Sequence, residues 1–137
     1  MQSDIPTINH YAPADISFQQ ALHYFDLFNN FVFRQYNYGE VENLKRYGSP
    51  EPPEYRLEDV NIPVYAYVGP SDTLTRPIDR DRLFSRINQT LVKVTIIDKL
   101  TWDHNDFLYA KEGYRYCYSR VIEDMDDALE LLSATAT

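Results

Sequence analysis

The sequence has little of several residue types that other classes of protein need. It holds one cysteine among 137 residues, Cys117, which excludes an internal disulfide and a cysteine-based metal cluster. Positive charge is also scarce, with 13 Lys and Arg against 21 Asp and Glu and a net charge of −8. Because binding to phosphate requires a basic surface, we expect no nucleic-acid partner.

Long apolar runs are absent as well. No stretch reaches the roughly 18 consecutive apolar residues of a transmembrane helix, so we expect no membrane span. The first residues, Met-Gln-Ser-Asp, have neither a basic start nor an apolar core, and no signal peptide is visible. The composition is otherwise that of a globular protein, with 44% hydrophobic residues and twelve tyrosines.

The most informative stretch is 64–110, which predicts a strand, a helix and a second strand. The apolar run Val64–Val68 reads as a strand buried on both faces and leads to Asp72. A helical pattern at 77–88 precedes the alternating run 91–97, and His104 follows that run. Parallel strands joined by a right-handed crossover have their carboxyl ends at one edge of the sheet. We therefore expect a carboxylate oxygen of Asp72 within about 2.6–3.2 Å of the His104 ring.

Three further segments are predicted around this unit. Ser17 and Gln20 have the spacing of a capping box, and a helix after them should bury an aromatic face and end by Phe33. Residues 34–59, rich in glycine and proline, read as one long loop. A helix over 106–132 should bury an apolar face, with Gly113 as a possible break and the end from 133 frayed. That face comprises Tyr114, Cys117, Tyr118, Val121, Ile122, Met125, Ala128, Leu129 and Leu132, and the acidic residues Glu123, Asp124, Asp126, Asp127 and Glu130 should lie mostly opposite.

Asp72 and His104 are the candidate catalytic residues. Each also has a plainer interpretation, because an aspartate after a strand often caps the next helix and a lone histidine is usually a surface or core polar group. Together they form two thirds of an acid–histidine–nucleophile triad. The nucleophile is not found, since no pair of glycines brackets a serine and Ser71 lies on the acid's own loop. Two strands also cannot bury such a sheet, so we expect the end of a larger α/β protein, with the serine upstream of Met1.

Other site signals are weak. His10 and His23 lack the spacing of a metal site with a third ligand, and no cofactor is expected. Asn88-Gln89-Thr90 is a glycosylation sequon, which supports secretion only weakly. Cys117 is interpreted as a small core residue.

From about Ala12 to Met125 the chain resembles the acid lipases, which include gastric, lingual and lysosomal enzymes and an insect digestive branch that it resembles most. The shared motifs, in chain order, are Pro-Ala at 13–14 followed by Ser17, Leu-His-Tyr at 22–24, Gln-Tyr-Asn-Tyr-Gly at 35–39, Asn-Leu-Lys-Arg-Tyr-Gly-Ser-Pro at 43–50, Pro-Pro-Glu-Tyr at 52–55, Val-Asn-Ile-Pro-Val at 60–64, Gly-Pro-Ser-Asp at 69–72 and His-Asn-Asp-Phe-Leu-Tyr-Ala at 104–110. Two departures are Asp103 where the family usually has Asn, and Asp-Ile in place of Gly-Thr at 15–16.

The resemblance implies an α/β-hydrolase fold with a helical cap inserted before the last two parallel strands. Residues 1–56 would be the end of the cap and its returning loop, and 57–137 the C-terminal part of the core. Asp72 would be the triad acid and His104 the base in hydrolysis of triacylglycerol or sterol esters. A secreted or lysosomal location, a lipid ester substrate and the N-terminal half of the same enzyme as a partner follow from the same resemblance.

Two alternatives remain open at this point. The chain could be a catalytically inactive truncated product that acts as a binding or partner-dependent protein. It could also be part of another α/β-hydrolase esterase with a non-lipid substrate.

Overall fold

The computed structural model describes residues 15–135, which divide after Leu57 into two compact units. In the first, helix α1 spans Phe18–Asn30 and helix α2 spans Glu40–Tyr47. The predicted capping box is confirmed, because the Ser17 hydroxyl accepts from the Gln20 N–H and the Gln20 side chain accepts from the Ser17 N–H. The helix ends before Phe33, with Phe31 as its left-handed C-cap.

The aromatic face of α1 is not buried, so that prediction is wrong. Phe18 is 78% exposed and Phe25 58% exposed, and α1 has no buried residue. The periodicity correctly places these rings on one side of a helix, but burial also needs an opposing surface. Phe28 on the same helix also stays 53% exposed, although its ring stacks on that of Tyr24.

The prediction of a single loop over 34–59 is also wrong, because α2 lies within it. Local signals account for this helix: acidic residues occupy its first turn, basic residues its last turn, and Gly48 caps its C-terminus at φ 74°. Asn43, fully buried, accepts from the Tyr38 N–H and donates to the Pro50 carbonyl, which holds the flanking segments against the helix. The proline-rich residues 48–53 form neither helix nor strand, as expected.

In the second unit, the strand–helix–strand prediction is confirmed. Strand β1 spans Val64–Val68, helix α3 spans Pro77–Arg86 and strand β2 spans Leu91–Ile96. The strands are parallel, Val68 pairs with Ile96, and both carboxyl ends therefore lie at one edge. The α/β class is thus confirmed. Burial of β1 on both faces is not, because only Val68 is buried and the rest of the strand is half-buried.

The core of this unit lies beneath that edge. It comprises Ile97, Trp102 and Cys117, with Phe107 and Tyr116 packed against it. The Trp102 ring meets Phe107 edge-on, at a centroid distance of 5.8 Å. The prediction that Cys117 is a core residue is confirmed.

The predicted helix over 106–132 is divided into three pieces. Helix α4 spans Asp106–Tyr109, a π-helical turn spans Tyr114–Tyr118 and helix α5 spans Ser119–Thr135, so residues 133–135 are helical where fraying was expected. Residues 136–137 lie outside the described part. No described helix is both long and apolar enough to cross a membrane.

The apolar face predicted for this segment is buried only in part: Cys117, just before α5, is buried and Val121 and Ala128 are half-buried. Met125 and Leu129 are each 60% exposed, whereas Asp124 is 4% exposed. Asp124 accepts hydrogen bonds of 2.6 Å from both the Tyr67 hydroxyl and the Lys93 ammonium. The two strands thus supply an ammonium and a hydroxyl group that satisfy the buried Asp124 carboxylate.

Candidate active site

Asp72 lies in the turn that follows β1. Its N–H donates to the Gly69 carbonyl at 3.2 Å, which closes the turn. Its Oδ1 accepts from the backbone N–H groups of Leu74 and Thr75, at 2.9 and 3.0 Å. This aspartate therefore shapes its own loop, as the plainer interpretation expects, but the N-cap of α3 is Arg76. Because these bonds use Oδ1, Oδ2 is available for another partner.

His104 lies in the loop that follows β2, between two aspartates that fix the backbone. Asp103 Oδ1 accepts from the N–H groups of Asn105 and Asp106, at 2.8 and 3.2 Å. In return, Asp106 Oδ2 accepts from the Asp103 N–H at 3.0 Å. The carboxylate of Asp106 is buried, and this reciprocal arrangement holds the backbone on both sides of the histidine.

The structure brings the two predicted site residues together. His104 Nδ1 lies 3.1 Å from Asp72 Oδ2, within the predicted distance. The Asp72 side chain is 5% exposed and that of His104 is 49% exposed, so a buried acid supports an imidazole that is open to solvent. With a hydrogen on Nδ1 donated to the carboxylate, the neutral ring has its lone pair on Nε2. Nε2 is then the atom that can accept a proton.

The surroundings of Asp72 favour its charged form. Burial by itself raises the pKa of this carboxyl. Hydrogen bonds from the side chain and backbone of Thr75, from His104 and from the Leu74 backbone outweigh burial and hold the Asp72 pKa below its ordinary value. The Asp72 carboxylate therefore stays ionised to a lower pH than an ordinary aspartate does.

Contacts that the sequence did not predict join the loops of Asp72 and His104. The Ser71 N–H donates to the Trp102 carbonyl at 3.0 Å, and the Ser71 hydroxyl donates to the Leu100 carbonyl at 2.6 Å. A Cβ at Gly69 would lie 2.8 Å from that Trp102 oxygen, so only glycine permits this close approach. The Gly-Pro-Ser-Asp motif was visible in the sequence, but it does not indicate which groups some 30 residues away these residues contact.

The remaining candidate residues lie apart from this pair. His10 is outside the described part of the chain. His23 belongs to the first unit, where its Nε2 lies 2.9 Å from the Arg34 carbonyl oxygen. Asn88 is exposed just after α3. Within residues 15–135, no group of three His, Cys, Asp or Glu side chains could hold a metal ion. The Asp72–His104 contact has the geometry of a carboxylate that supports an imidazole, and such a pair acts on an ester only together with a hydroxyl or thiol nucleophile.

Comparisons with known proteins give one consistent result. No family model matches the chain. Lipase 3 of Drosophila melanogaster is 32% identical over 115 residues, which are 83% of this chain and 29% of that protein. Lipase lipl-1 of Caenorhabditis elegans is 32% identical over 120 residues, 87% of this chain and 29% of that protein. Gastric triacylglycerol lipase of Rattus norvegicus is 30% identical over 114 residues, 82% of this chain and 28% of that protein.

The chain therefore spans about three tenths of the length of the curated lipases that it matches. The similarity covers both described units and includes most of the chain. The similarity to several lipases over most of this chain therefore supports a C-terminal, acid lipase-like portion.

Proposed function

We propose that this chain is the C-terminal part of an α/β-hydrolase that cleaves lipid esters, triacylglycerols or sterol esters, through an acyl-serine. Asp72 is the triad acid and His104 the general base, and the serine belongs to polypeptide that this sequence does not include. The observation that carries the proposal is the 3.1 Å contact between Asp72 Oδ2 and His104 Nδ1. It occurs at the carboxyl edge of two parallel strands, where ligands of open α/β sheets bind.

Each member of the pair has a defined task in this reaction. The Asp72 carboxylate accepts from Nδ1–H, holds the imidazole in one tautomer and stabilises the imidazolium that forms. His104 Nε2 takes the proton of the attacking serine and later delivers it to the leaving alcohol. We extend the proposal to a secreted or lysosomal enzyme, a location that the similarity to gastric triacylglycerol lipase supports.

The proposal assigns two parts of the enzyme to two stretches of the chain. Residues 1–56 are the end of a helical cap with its returning loop, and residues 57–137 complete the hydrolase core. The separation into compact units after Leu57 supports this division. The exposed aromatic side chains of α1 suit a cap that meets lipid or other parts of a lipase.

The decisive experiment supplies the proposed missing part. We would join this chain to the upstream portion of Lipase 3 of Drosophila melanogaster and assay a short-chain nitrophenyl ester and a triacylglycerol. In that chimera, Asp72→Asn and His104→Ala should each lower kcat/KM by at least about 100-fold, the lower end of what general acid–base catalysis contributes. The 137-residue chain alone should show no turnover, because it lacks an activated nucleophile and the donors that stabilise the oxyanion.

Two control variants separate chemistry from structure. Asp98→Asn removes an exposed carboxylate just past β2 and should leave activity unchanged. Asp106→Asn should give a smaller loss, because an amide oxygen can still accept from the Asp103 N–H. An active chimera that tolerates both Asp72→Asn and His104→Ala would refute the assignment. Turnover by the chain alone that requires His104 would place the nucleophile within this sequence.

A second candidate is a non-catalytic protein that binds a partner. The large apolar side chains exposed along α1 and α5 favour it, since such surfaces mark interaction sites. The same chimera distinguishes the two, because a partner-binding protein predicts no ester hydrolysis that depends on Asp72.

A further inference from the structure

The turn that carries Asp72 contacts the turn that carries His104 at three alternate residues. The Ser71 hydroxyl reaches the Leu100 carbonyl, the Ser71 N–H reaches the Trp102 carbonyl, and Asp72 Oδ2 reaches the His104 ring. Two consecutive residues after β1 thus bind residues 100, 102 and 104 after β2. The catalytic contact is the last of three parallel connections.

Only one of these connections depends on the identity of the side chain at position 71. Any residue other than proline could donate its N–H to the Trp102 carbonyl, whereas the bond to Leu100 needs a hydroxyl or another short donor. Its length of 2.6 Å is that of a well-formed O–H···O bond. The bond links residues 29 positions apart, one on each of the two loops that follow the paired strands.

The separation of the two loops sets the Asp72–His104 distance. Asp72 is fixed to its own turn through Oδ1, and the backbone around His104 is fixed by Asp103 and Asp106. Each loop is therefore held locally. The position of one loop relative to the other is held by the Ser71 N–H bond to the Trp102 carbonyl and by the Ser71 hydroxyl bond to the Leu100 carbonyl. A hydrogen bond weakens steeply when its distance or angle degrades, so a small shift between the loops would open the 3.1 Å contact.

We infer that Ser71 is a positioning residue, whose hydroxyl fixes the histidine loop to the acid loop and thereby holds His104 in the Nδ1–H tautomer against Asp72. Its meaning for catalysis rests on the proposed function, in which Nε2 must be free to accept a proton. Ser71 acts through Asp72 and His104 and does not touch the reacting atoms. The tautomer of His104 depends on the geometry of this chain, and it can be measured without the nucleophilic serine, a substrate or turnover.

The experiment reads the tautomer of His104 directly. The ¹⁵N-labelled 137-residue chain is studied by long-range ¹H–¹⁵N correlation at about pH 8, where an ordinary imidazole is neutral. Wild-type His104 should favour Nδ1–H. Ser71→Ala should lower the ratio of Nδ1–H to Nε2–H by about 2-fold to 10-fold, the range that one net hydrogen bond contributes to an equilibrium. Ser71→Thr keeps a hydroxyl and should restore the wild-type ratio.

Matched controls show whether the change is specific. Thr73→Ala removes a hydroxyl from the same loop; among the described residues this hydroxyl makes no bond to the histidine loop, and the ratio should not change. The His23 signals, from the first unit, serve as an internal reference and should stay fixed. Circular dichroism reports whether each variant is folded. If Ser71→Ala does not fold, Ser71→Cys takes its place, since a thiol has similar size but is a weak donor.

Three results would overturn the inference. The first is a folded Ser71→Ala or Ser71→Cys chain that keeps the wild-type tautomer ratio. The second is a Ser71→Thr chain whose ratio of Nδ1–H to Nε2–H falls as far as in Ser71→Ala, because the hydroxyl would then not determine the tautomer. The third is a wild-type His104 with no excess of the Nδ1–H tautomer, because Ser71 would then have no tautomer preference to maintain. Activity of the chimera decides the proposed function separately, so failure of either idea can be recognised without the other.

Discussion

Lys93 Nζ lies 2.6 Å from Asp124 Oδ1, so an ion pair joins β2 to helix α5. The Tyr67 hydroxyl donates to the other oxygen of the same carboxylate, which adds β1 to this connection. The Asp124 side chain is buried while that of Lys93 is 46% exposed. The Asp124 carboxylate of α5 therefore bonds to both strands. The most apolar side of the helix is exposed to solvent.

Asp124→Asn should weaken the second unit. Hydrogen bonds from Lys93 and Tyr67 hold the pKa of the Asp124 carboxyl below its ordinary value, against the opposing effect of burial. Near neutral pH the substitution should lower the free energy of unfolding by about 1–3 kcal/mol, the range for a hydrogen-bonded charged group. Urea unfolding followed by Trp102 fluorescence measures this, because Trp102 is the single tryptophan and lies in the adjacent core.

The same interaction has a defined pH dependence. A carboxyl with a lowered pKa stabilises the folded state fully above its unfolded pKa of about 4, and this stabilisation is lost as the pH falls through the folded-state value. The difference in free energy of unfolding between the wild type and Asp124→Asn should therefore become smaller as the pH falls below about 4. Asp126→Asn on an exposed position of α5 is the matched control and should change little. A difference in free energy of unfolding that does not change with pH would contradict a stabilising role for the Asp124 charge.

Gly69→Ala should disturb the core beneath the candidate site. The added Cβ would lie 2.8 Å from the Trp102 carbonyl oxygen and 3.2 Å from both the Trp102 and Phe107 rings. Since the first contact is with backbone, the two loops must separate, at a cost of roughly 1–3 kcal/mol typical of overpacking. We expect a shift in the emission of Trp102 together with a lower urea midpoint.

Gly48→Ala is the control for this prediction. Gly48 has φ 74° and no atom within 4 Å of its added Cβ, so alanine there meets backbone strain without a clash. Stability should fall by about 1 kcal/mol, but Trp102 emission should remain that of the wild type. Equal spectral changes in both variants would show that the close approach at Gly69 is not what matters.

The outward stripe of α5 should bind a hydrophobic dye. Ile122, Met125 and Leu129 are exposed at helical spacing, and large exposed apolar patches mark interaction or aggregation surfaces. The double variant Met125→Gln, Leu129→Gln should reduce dye fluorescence and self-association. Its free energy of unfolding should stay within about 0.5 kcal/mol of wild type, as for surface positions, because glutamine keeps similar helix propensity.

The matched control changes polar residues of the same helix. Glu123→Gln with Asp127→Asn alters charge but not apolar area, and should leave dye binding nearly unchanged. A chain that binds no dye, or a Met125 and Leu129 variant that loses several kcal/mol, would mean that another surface covers the stripe in solution.

The sequence by itself determined the features that depend on local pattern. Strands β1 and β2 follow from short apolar runs, and the capping box of α1 from Ser17 and Gln20 three residues apart. The parallel direction of the two strands then places the loops of Asp72 and His104 at one edge of the sheet. Their proximity was predictable for this reason. Helix α2 was equally local and was missed, because the surrounding glycines and prolines drew the prediction toward a loop.

The tertiary structure decided which surfaces meet. Periodicity identifies an apolar stripe on α1 and α5, but it does not reveal whether a partner surface lies opposite. Asp124 is buried because Lys93 and Tyr67, 31 and 57 residues away, supply a cation and a hydroxyl at that place. Ser71 likewise became visible only when the folded loops brought the Leu100 carbonyl within reach. Local sequence sets the helices, strands and turns, whereas the partners of buried polar groups follow from three-dimensional contact.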